Sequence, residues 1–584
     1  MGNFFDNEID RRRFLQRTGA GVGALAVAGL PNFAYADISP QLIKLAGGLP
    51  KDSAASARPR MGGTLVYAME AEPDILDPHA CGGWHTSRVV LQMYDQLVEH
   101  DLTQPWYKAA PPTLVGSLAS SWSISPDGTE YTFFLRQGIK FHDGTSFDAE
   151  AVKFNFDRIW NEAAPNFYPR AKAYRAPDVF FIKSVDVIDA HTVKITLKEP
   201  FNSFLLRLAN LGPGMVSMIS PTALKKYGNE GIALHPTGTG PFRFVERVVG
   251  DRVVMEKNPD YWGGNPKVGP FLDRIVIKPV ADASARVAGL RGGSFDMIIV
   301  PSPDSKPLLE SEGFVWAQGI CHHNWYWAYN MNMPLFQDRS VRQAMNYAIN
   351  RKALCSDLLL NTAYPMNNGI IPPGMLSFDP SFAAFDYNPN KVKELLAKAK
   401  QSKGFETTFV TSTGGSGQLI PVQIAERVQA DMRSAGVKMN IGATEWVSYF
   451  TKWISGGFKD VGASQMSFGA PDPFWLELTI GGNFFIGTAG GGLNAGHYKN
   501  PAIDSVMQAA RHAAPPKKGD PYGPWGLSTE AVNLWRKANR MATEDAPLLL
   551  VLSDLNPMVH NKKVQGKVQT ALEWFTFRTI WMSA

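Results

Sequence analysis

The sequence predicts an α/β fold with added meander strands, and three observations carry that prediction. The first is a strand–helix–strand unit late in the chain: Phe405–Thr411 reads as a strand, Val422–Ala435 as a helix ended by Gly436, and Val437–Ile441 as a second strand. Such a unit pairs its strands in parallel through a right-handed crossover. The second is period-two alternation, at Val193, Ile195 and Leu197 and again at Ile275 and Ile277, as half-buried strands require. The third is helical spacing of Val341, Ala344, Met345, Ala348 and Ile349, with Asp338 or Ser340 as N-cap.

The other elements fall around these. Thr64-Leu65-Val66-Tyr67-Ala68 is a short apolar strand, and Tyr131–Leu135 is another, following the turn Ser125-Pro126-Asp127-Gly128. Lys391–Lys400 is an amphipathic helix. Residues 37–61, rich in Ala, Ser, Pro and Lys, form a flexible leader, and the Gly-rich 487–496 and Pro/Gly-rich 512–526 are loops. The chain shows no internal repeat.

At 584 residues the chain is too long for one hydrophobic core and suits two to four domains or subdomains. With 45% hydrophobic and 19% charged residues, its composition is globular. The net charge of +5 is too small and too evenly spread for a nucleic-acid binder. Cys81, Cys321 and Cys355 form no framework and no CxxC pair; buried thiols are the expected state, with one disulfide left open.

Motifs of phosphate-loop, nucleophile-elbow, zincin and EF-hand type are missing. His142-Asp143-Gly144 reads as a turn rather than a catalytic dyad, since Asp-Gly supplies a sharp bend. His322-His323, read as strand residues, point to opposite faces and do not easily share one metal ion. The expectation is a protein without catalytic residues, metal or cofactor.

The N-terminal run Arg11-Arg12-Arg13-Phe14-Leu15-Gln16 resembles the twin-arginine export signal, with Gln16 where that pattern has Lys. An uncharged stretch, Thr18 to Leu30, is too short and too weakly apolar to span a membrane. Ala34-Tyr35-Ala36 then forms an A-x-A cleavage site. Residues 1–36 are therefore expected to be a signal peptide cut after Ala36, with the Tat translocase as partner during export and a periplasmic mature chain.

Further segments line up in order. Leu118-Ala119-Ser120-Ser121-Trp122-Ser123, Tyr131-Thr132-Phe133, Gly138-Ile139-Lys140-Phe141-His142-Asp143-Gly144 and Phe147-Asp148-Ala149-Glu150-Ala151-Val152 stand at characteristic spacing. Pro236–Phe242, Asn258–Gly264, Phe336–Ala344, Asn494–Asp504 and Glu544–Pro547 follow. Together they resemble the extracellular solute-binding proteins of peptide/nickel/opine ABC importers, over about residues 62–570. The resemblance implies a two-lobed periplasmic-binding-protein fold with a hinge and a central cleft. Lobe I is expected over 62–320 with an extra subdomain at about 81–230, lobe II over 321–548, and a C-terminal return to lobe I over 549–584. The crossings are expected near Ile320–Tyr326 and Leu548–Ser553. Trp122, Tyr131 and Trp262 are expected to pack rather than touch ligand.

The same resemblance places ligand contacts in three segments: Glu70 and Glu72 with Trp84 and His85; the crossover strand with Trp325 and Trp327 on one face; and Phe468, Gly469, Asp472 and Trp475 in lobe II. Peptide binders carry at the Gly469 position an Asp that holds a free amino terminus. Gly469 has no carboxylate for that charge-assisted bond, so Glu70, Glu72 or Asp472 are the candidate substitutes. The implied role is the periplasmic substrate-binding component of an ABC importer. It would take an oligopeptide, opine-like or saccharide-type ligand to the permease, as a monomer. An exported hydrolase and a secretory holdase or sensor are the competing classes.

Overall fold

The computed structural model describes residues 58–104, 111–209, 216–263, 268–487, 491–566, 572 and 574–584, all within one compact unit. Arg11, Arg12, Phe14, Leu15, the Ala36 cleavage site and most of the leader lie outside the described residues. Two large mixed sheets organise the rest. The first has seven strands in the order Val315–Ala317, Met558–His560, Met297–Ile299, Thr64–Met69, Arg274–Pro279, Arg252–Lys257 and Phe242–Val248. The second has six, in the order Ala363–Pro365, Leu548–Asp554, Asn324–Tyr329, Ala463–Phe468, Phe405–Ser412 and Val437–Thr444. A separate four-stranded antiparallel sheet, Ala119–Ile124, Glu130–Leu135, Thr192–Leu197 and Ile182–Asp189, forms the subdomain.

The strand–helix–strand unit is present. Phe405–Ser412 and Val437–Thr444 pair in parallel from Phe405 opposite Val437, and the Pro421–Ser434 helix crosses between them. Gly436 ends that helix at φ +81°, a left-handed conformation that costs glycine little. Of the two N-cap candidates, Asp338 is the cap: its carboxylate accepts the Ser340 amide at 2.7 Å.

Strand periodicity sorts residues between cores. Leu65, Tyr67 and Met69 enter the core of the first sheet while Ala68 faces a small cluster on its other side. In Asn324–Tyr329, the residues Trp325, Trp327 and Tyr329 enter one core of the second lobe. Tyr326 and Ala328 enter another, which continues without a break into the subdomain. There Phe201 and Phe181 meet Phe474 at ring-centroid distances of 4.8 and 5.8 Å. Tyr131 is buried in that core, and Trp122 and Trp262 pack against it half-buried.

The chain passes from the first sheet to the second between Ala317 and Asn324. Leu548–Asp554 is wholly a strand of the second sheet, so the chain returns after Asp554, not from 549. His322 and His323 precede the Asn324–Tyr329 strand rather than lie in it, so alternation along a strand does not separate them. Among the described residues no group of three His, Cys, Asp or Glu is placed to hold a metal ion. All three cysteines are buried and outside any disulfide. No helix among the described residues is long and apolar enough to cross a membrane.

Candidate functional site

In both sheets the carboxyl ends of the parallel strands point to one place. Thr64–Met69 runs parallel to Arg274–Pro279 and Met297–Ile299, and the loop after it carries Glu70, Glu72 and Asp74. In the second sheet Phe405–Ser412 is parallel to Val437–Thr444 and to Ala463–Phe468. The residues that follow these three strands are Thr413–Ser416, Glu445–Trp446 and Gly469. Ligands of open α/β sheets lie at such strand ends, where loops from several strands converge. Here the loops enclose two adjoining chambers, and Gly82, Tyr174, Phe450, Ile454 and Phe468 line both.

The first chamber, about 730 Å³, is acidic. Glu70, Glu72, Asp74 and Glu445 line it, together with Trp84, His85 and Arg247. Glu70 Oε1 accepts from Arg88 Nη1 at 2.5 Å and, across the cleft, from the Ser416 hydroxyl at 3.2 Å. Burial drives the Glu70 pKa upward, but Arg88 and His85 with backbone hydrogen bonding more than offset this and hold it at about 2. Its Oε2, the Trp84 indole Nε1 and His85 Nδ1 are buried with no hydrogen-bond partner among the described residues. Burial also pushes the His85 pKa down, against the pull of Glu70 and Asp74. Glu72 is held by Arg247, at 3.0 Å from Nε and 2.7 Å from Nη2. Glu445 caps the Trp446–Ile454 helix through the Val447 and Ser448 amides, which lower its pKa.

The second chamber, about 780 Å³, is walled by rings: Phe167, Tyr174, Phe450, Trp453, Phe468 and Trp475. Its polar edge is Asp178 and Arg207 on one side and Lys172 with Glu162 on another. Arg207 joins the lobes, donating to Asp178 from Nε at 2.7 Å and to Asp472 from Nη1 at 3.2 Å. Burial raises the pKa of both carboxyl groups, against the pull of Arg207.

The expected contact residues divide. Glu70, Glu72, Trp84 and His85 line the acidic chamber, Gly469 and Trp475 the aromatic one, and Phe468 both. Trp325 and Trp327 line neither: both are fully buried in the second lobe, ring against ring at 4.7 Å, because both faces of their strand are covered. Asp472 is fully buried, lines neither chamber and accepts from Arg207. Gly469 is glycine for a steric reason. A Cβ there would stand 2.0 Å from the His322 carbonyl oxygen, so no carboxylate fits. Sequence reading missed Asp74, Tyr174, Asp178, Arg207, Arg247, Phe450 and Trp453. The Gly-rich run Thr413-Gly414-Gly415-Ser416, directly after a parallel strand, was the readable signal for the lobe II side.

The family described as bacterial extracellular solute-binding proteins, family 5 middle, matches residues 113–483. The chain belongs to that family. This solute-binding protein is 32% identical to the glutathione-binding protein GsiB of Pectobacterium atrosepticum, over 86% of its own length and 90% of the relative. It is 30% identical to heme-binding protein A of Haemophilus influenzae, over 83% and 86%. Among solved structures, the periplasmic binding protein DppA of Helicobacter pylori, in complex with the peptide STSA, superposes at a TM-score of 0.76 with 26% identity. That match covers 90% of this chain and 99% of DppA. The agropinic acid complex of AgaA from A. tumefacien superposes at 0.72 with 23% identity, covering 89% and 99%, which speaks for the fold alone. The two-lobed α/β architecture is thus that of periplasmic binding proteins, and the role is that of the solute-binding component of an ABC importer.

Proposed function

We propose that this solute-binding protein captures a ligand with a free ammonium group, of the oligopeptide or amine-conjugate class, and delivers it unchanged to an ABC permease. The observation that carries this is the acidic chamber. Its four carboxylates outnumber the two arginines that pair with them, Arg88 with Glu70 and Arg247 with Glu72, so Asp74 and Glu445 have no ion-pair partner among the described residues. An ammonium supplies the opposite charge. A neutral saccharide would leave the excess charge uncompensated. Glu70 stands in for the carboxylate that peptide binders carry at the Gly469 position, from the opposite wall of the cleft.

The export signal, cleavage after Ala36, periplasmic release and monomeric state complete this reading, with the lobes closing about the two chain crossings. Glutathione and haem, bound by relatives, belong in the ligand panel beside peptides and opines. The test uses protein stripped of ligand by unfolding and refolding. Ala-Ala-Ala is compared with N-acetyl-Ala-Ala-Ala by calorimetry and thermal melting. A ligand bound only by the folded state stabilises it by about 2.7 kcal/mol at 100 times its Kd. The free amine should bind, and acetylation should weaken binding about tenfold or more, the scale of one charged hydrogen bond. Equal binding of the two peptides sinks the reading. Recovery of intact ligand after prolonged incubation separates capture from hydrolysis.

A further inference from the structure

Outside both chambers, the subdomain meets the second lobe at a joint that carries buried charge. Phe181 and Phe201 of the subdomain pack on Phe474, and the Asn202 amide donates to the Arg511 carbonyl at 3.1 Å. The Arg511 guanidinium lies 4.9 Å from the Phe181 ring centroid, between a carboxylate of each body. Its Nη1 donates to Glu199, which follows the subdomain strand Thr192–Leu197. Its Nε stands 3.3 Å from Oε2 of Glu477 in the second lobe, an ion-pair distance without hydrogen-bond alignment. Arg511 is thus committed across the joint, and Glu477, 5% exposed, is the less compensated carboxyl group. Asp504 stands on the lobe side, accepting the Gly482 amide at 3.0 Å with Lys499 beside it, and His512 Nε2 is 3.4 Å from Glu199. Glu477, Asp504 and Glu199 therefore crowd one buried arginine, a surplus of negative charge that a buried carboxyl group relieves by binding a proton. Burial, with Asp504 and Glu199 alongside, raises the Glu477 pKa to about 7 against the pull of Arg511.

We propose that Glu477, Arg511 and Glu199 form a proton-operated latch between the subdomain and the second lobe, so that shutting this joint takes up a proton and opening it returns one to the medium. The latch lies outside the ligand chambers and acts whatever the class of ligand. With the joint shut, Glu199 holds Arg511 and Glu477 carries the proton. With the joint open, Glu199 moves into water and Arg511 keeps Glu477 as its close partner, so the carboxyl O–H ionises and its proton goes to solvent. The shut joint has the higher Glu477 pKa, about 7, against the ordinary 4.5 once water and Arg511 reach the carboxyl group freely. Acid therefore favours the shut state: the bias builds as pH falls from 7 toward 4.5 and is lost as pH rises through 7. A ligand enclosed by the shut protein is held more firmly in a mildly acidic medium than in an alkaline one, and each delivery is accompanied by release of a proton.

Hydrogen exchange at the Asn202 amide of the ligand-stripped full chain tests this, because that bond crosses the joint. Protection factors, which remove the intrinsic pH dependence of exchange, are compared at pH 8 and pH 6. Amides of Thr192–Leu197, inside the subdomain sheet, control for unfolding of the subdomain itself. Wild-type protection at Asn202 should be about tenfold greater at pH 6 than at pH 8. Glu477→Gln mimics the protonated carboxyl group and should show the higher protection at both pH values. Glu199→Gln, at a side chain 37% exposed, releases Arg511 to Glu477 and should show the lower protection at both. Should Glu477→Gln fail to fold, Glu199→Gln decides alone. Equal wild-type protection at the two pH values, a tenfold change that persists in either variant, or the same change in the control amides overturns the inference. No ligand enters the experiment, so its outcome is independent of the reading of the acidic chamber.

Discussion

Replacing Glu70 by Gln mimics the protonated carboxyl group with little change of shape, so it isolates what the charge contributes. The folded-state pKa is depressed from the ordinary 4.5 to about 2, the favourable contacts being led by Arg88 at 2.5 Å. At 1.36 kcal/mol per pH unit that gap amounts to roughly 3 kcal/mol. Because the folded pKa is the lower one, the stabilisation is complete above the unfolded value of 4.5 and is lost as pH falls from 4.5 toward 2. Urea unfolding of wild type and Glu70→Gln should therefore differ by about 3 kcal/mol at pH 7 and by under about 1 kcal/mol near pH 2.5. Taking the difference between the two proteins removes the many other carboxylates that titrate over the same range. A gap equal at both pH values, or no gap at pH 7, would refute the claim that Arg88 and its neighbours hold Glu70 ionised. The same variant should weaken Ala-Ala-Ala binding about tenfold at pH 7, as the chamber loses its buried charge.

Three further outcomes follow from the packing. Gly469→Ala should cost at least about 1–3 kcal/mol in urea unfolding, since its Cβ would meet the His322 carbonyl at 2.0 Å, and Gly469→Asp should do no better. Asp77→Asn should cost about 3–5 kcal/mol by the same measurement, because it leaves the fully buried Arg158 without the carboxylate that it grips at 3.0 and 2.6 Å. Trp327→Phe should cost roughly 1–2 kcal/mol, from the lost 3.0 Å bond to the Val410 carbonyl and a small void, while calorimetric affinity for Ala-Ala-Ala stays as in wild type.

The strands and helices with clear periods were legible in the sequence, as was the strand–helix–strand unit with its closing Gly436. That neither face of Asn324–Tyr329 lines the cleft was not, for a physical reason. A strand covered on both sides is apolar throughout and carries no mark of which side holds ligand. Half of the acidic wall, Glu70 and Glu72, was found because it follows the opening strand directly. Asp472 was named from the sequence, but its cluster with Asp178 and Arg207 was out of reach, because Arg207 lies 265 positions before it and in no motif. The Gly469 departure could be read as a missing carboxylate, but only the fold shows the carbonyl that forbids one.

The first lobe is finished by the last residues of the chain. Met558–His560 is wedged between Val315–Ala317 and Met297–Ile299, and Trp574, Phe575, Phe577 and Ile580 pack into the same core as Leu65 and Tyr67. During synthesis Thr64 leaves the ribosome roughly half a minute to two minutes before Trp574 does. Throughout that interval the opening strand has neighbours but its core lacks a wall. Completion of the N-terminal lobe therefore waits for residues 558–580, and a nascent chain stalled short of residue 558 exposes apolar surface at its beginning rather than at its end. Chaperone demand should peak late in translation, and a short C-terminal truncation should act as a lesion of the N-terminal half.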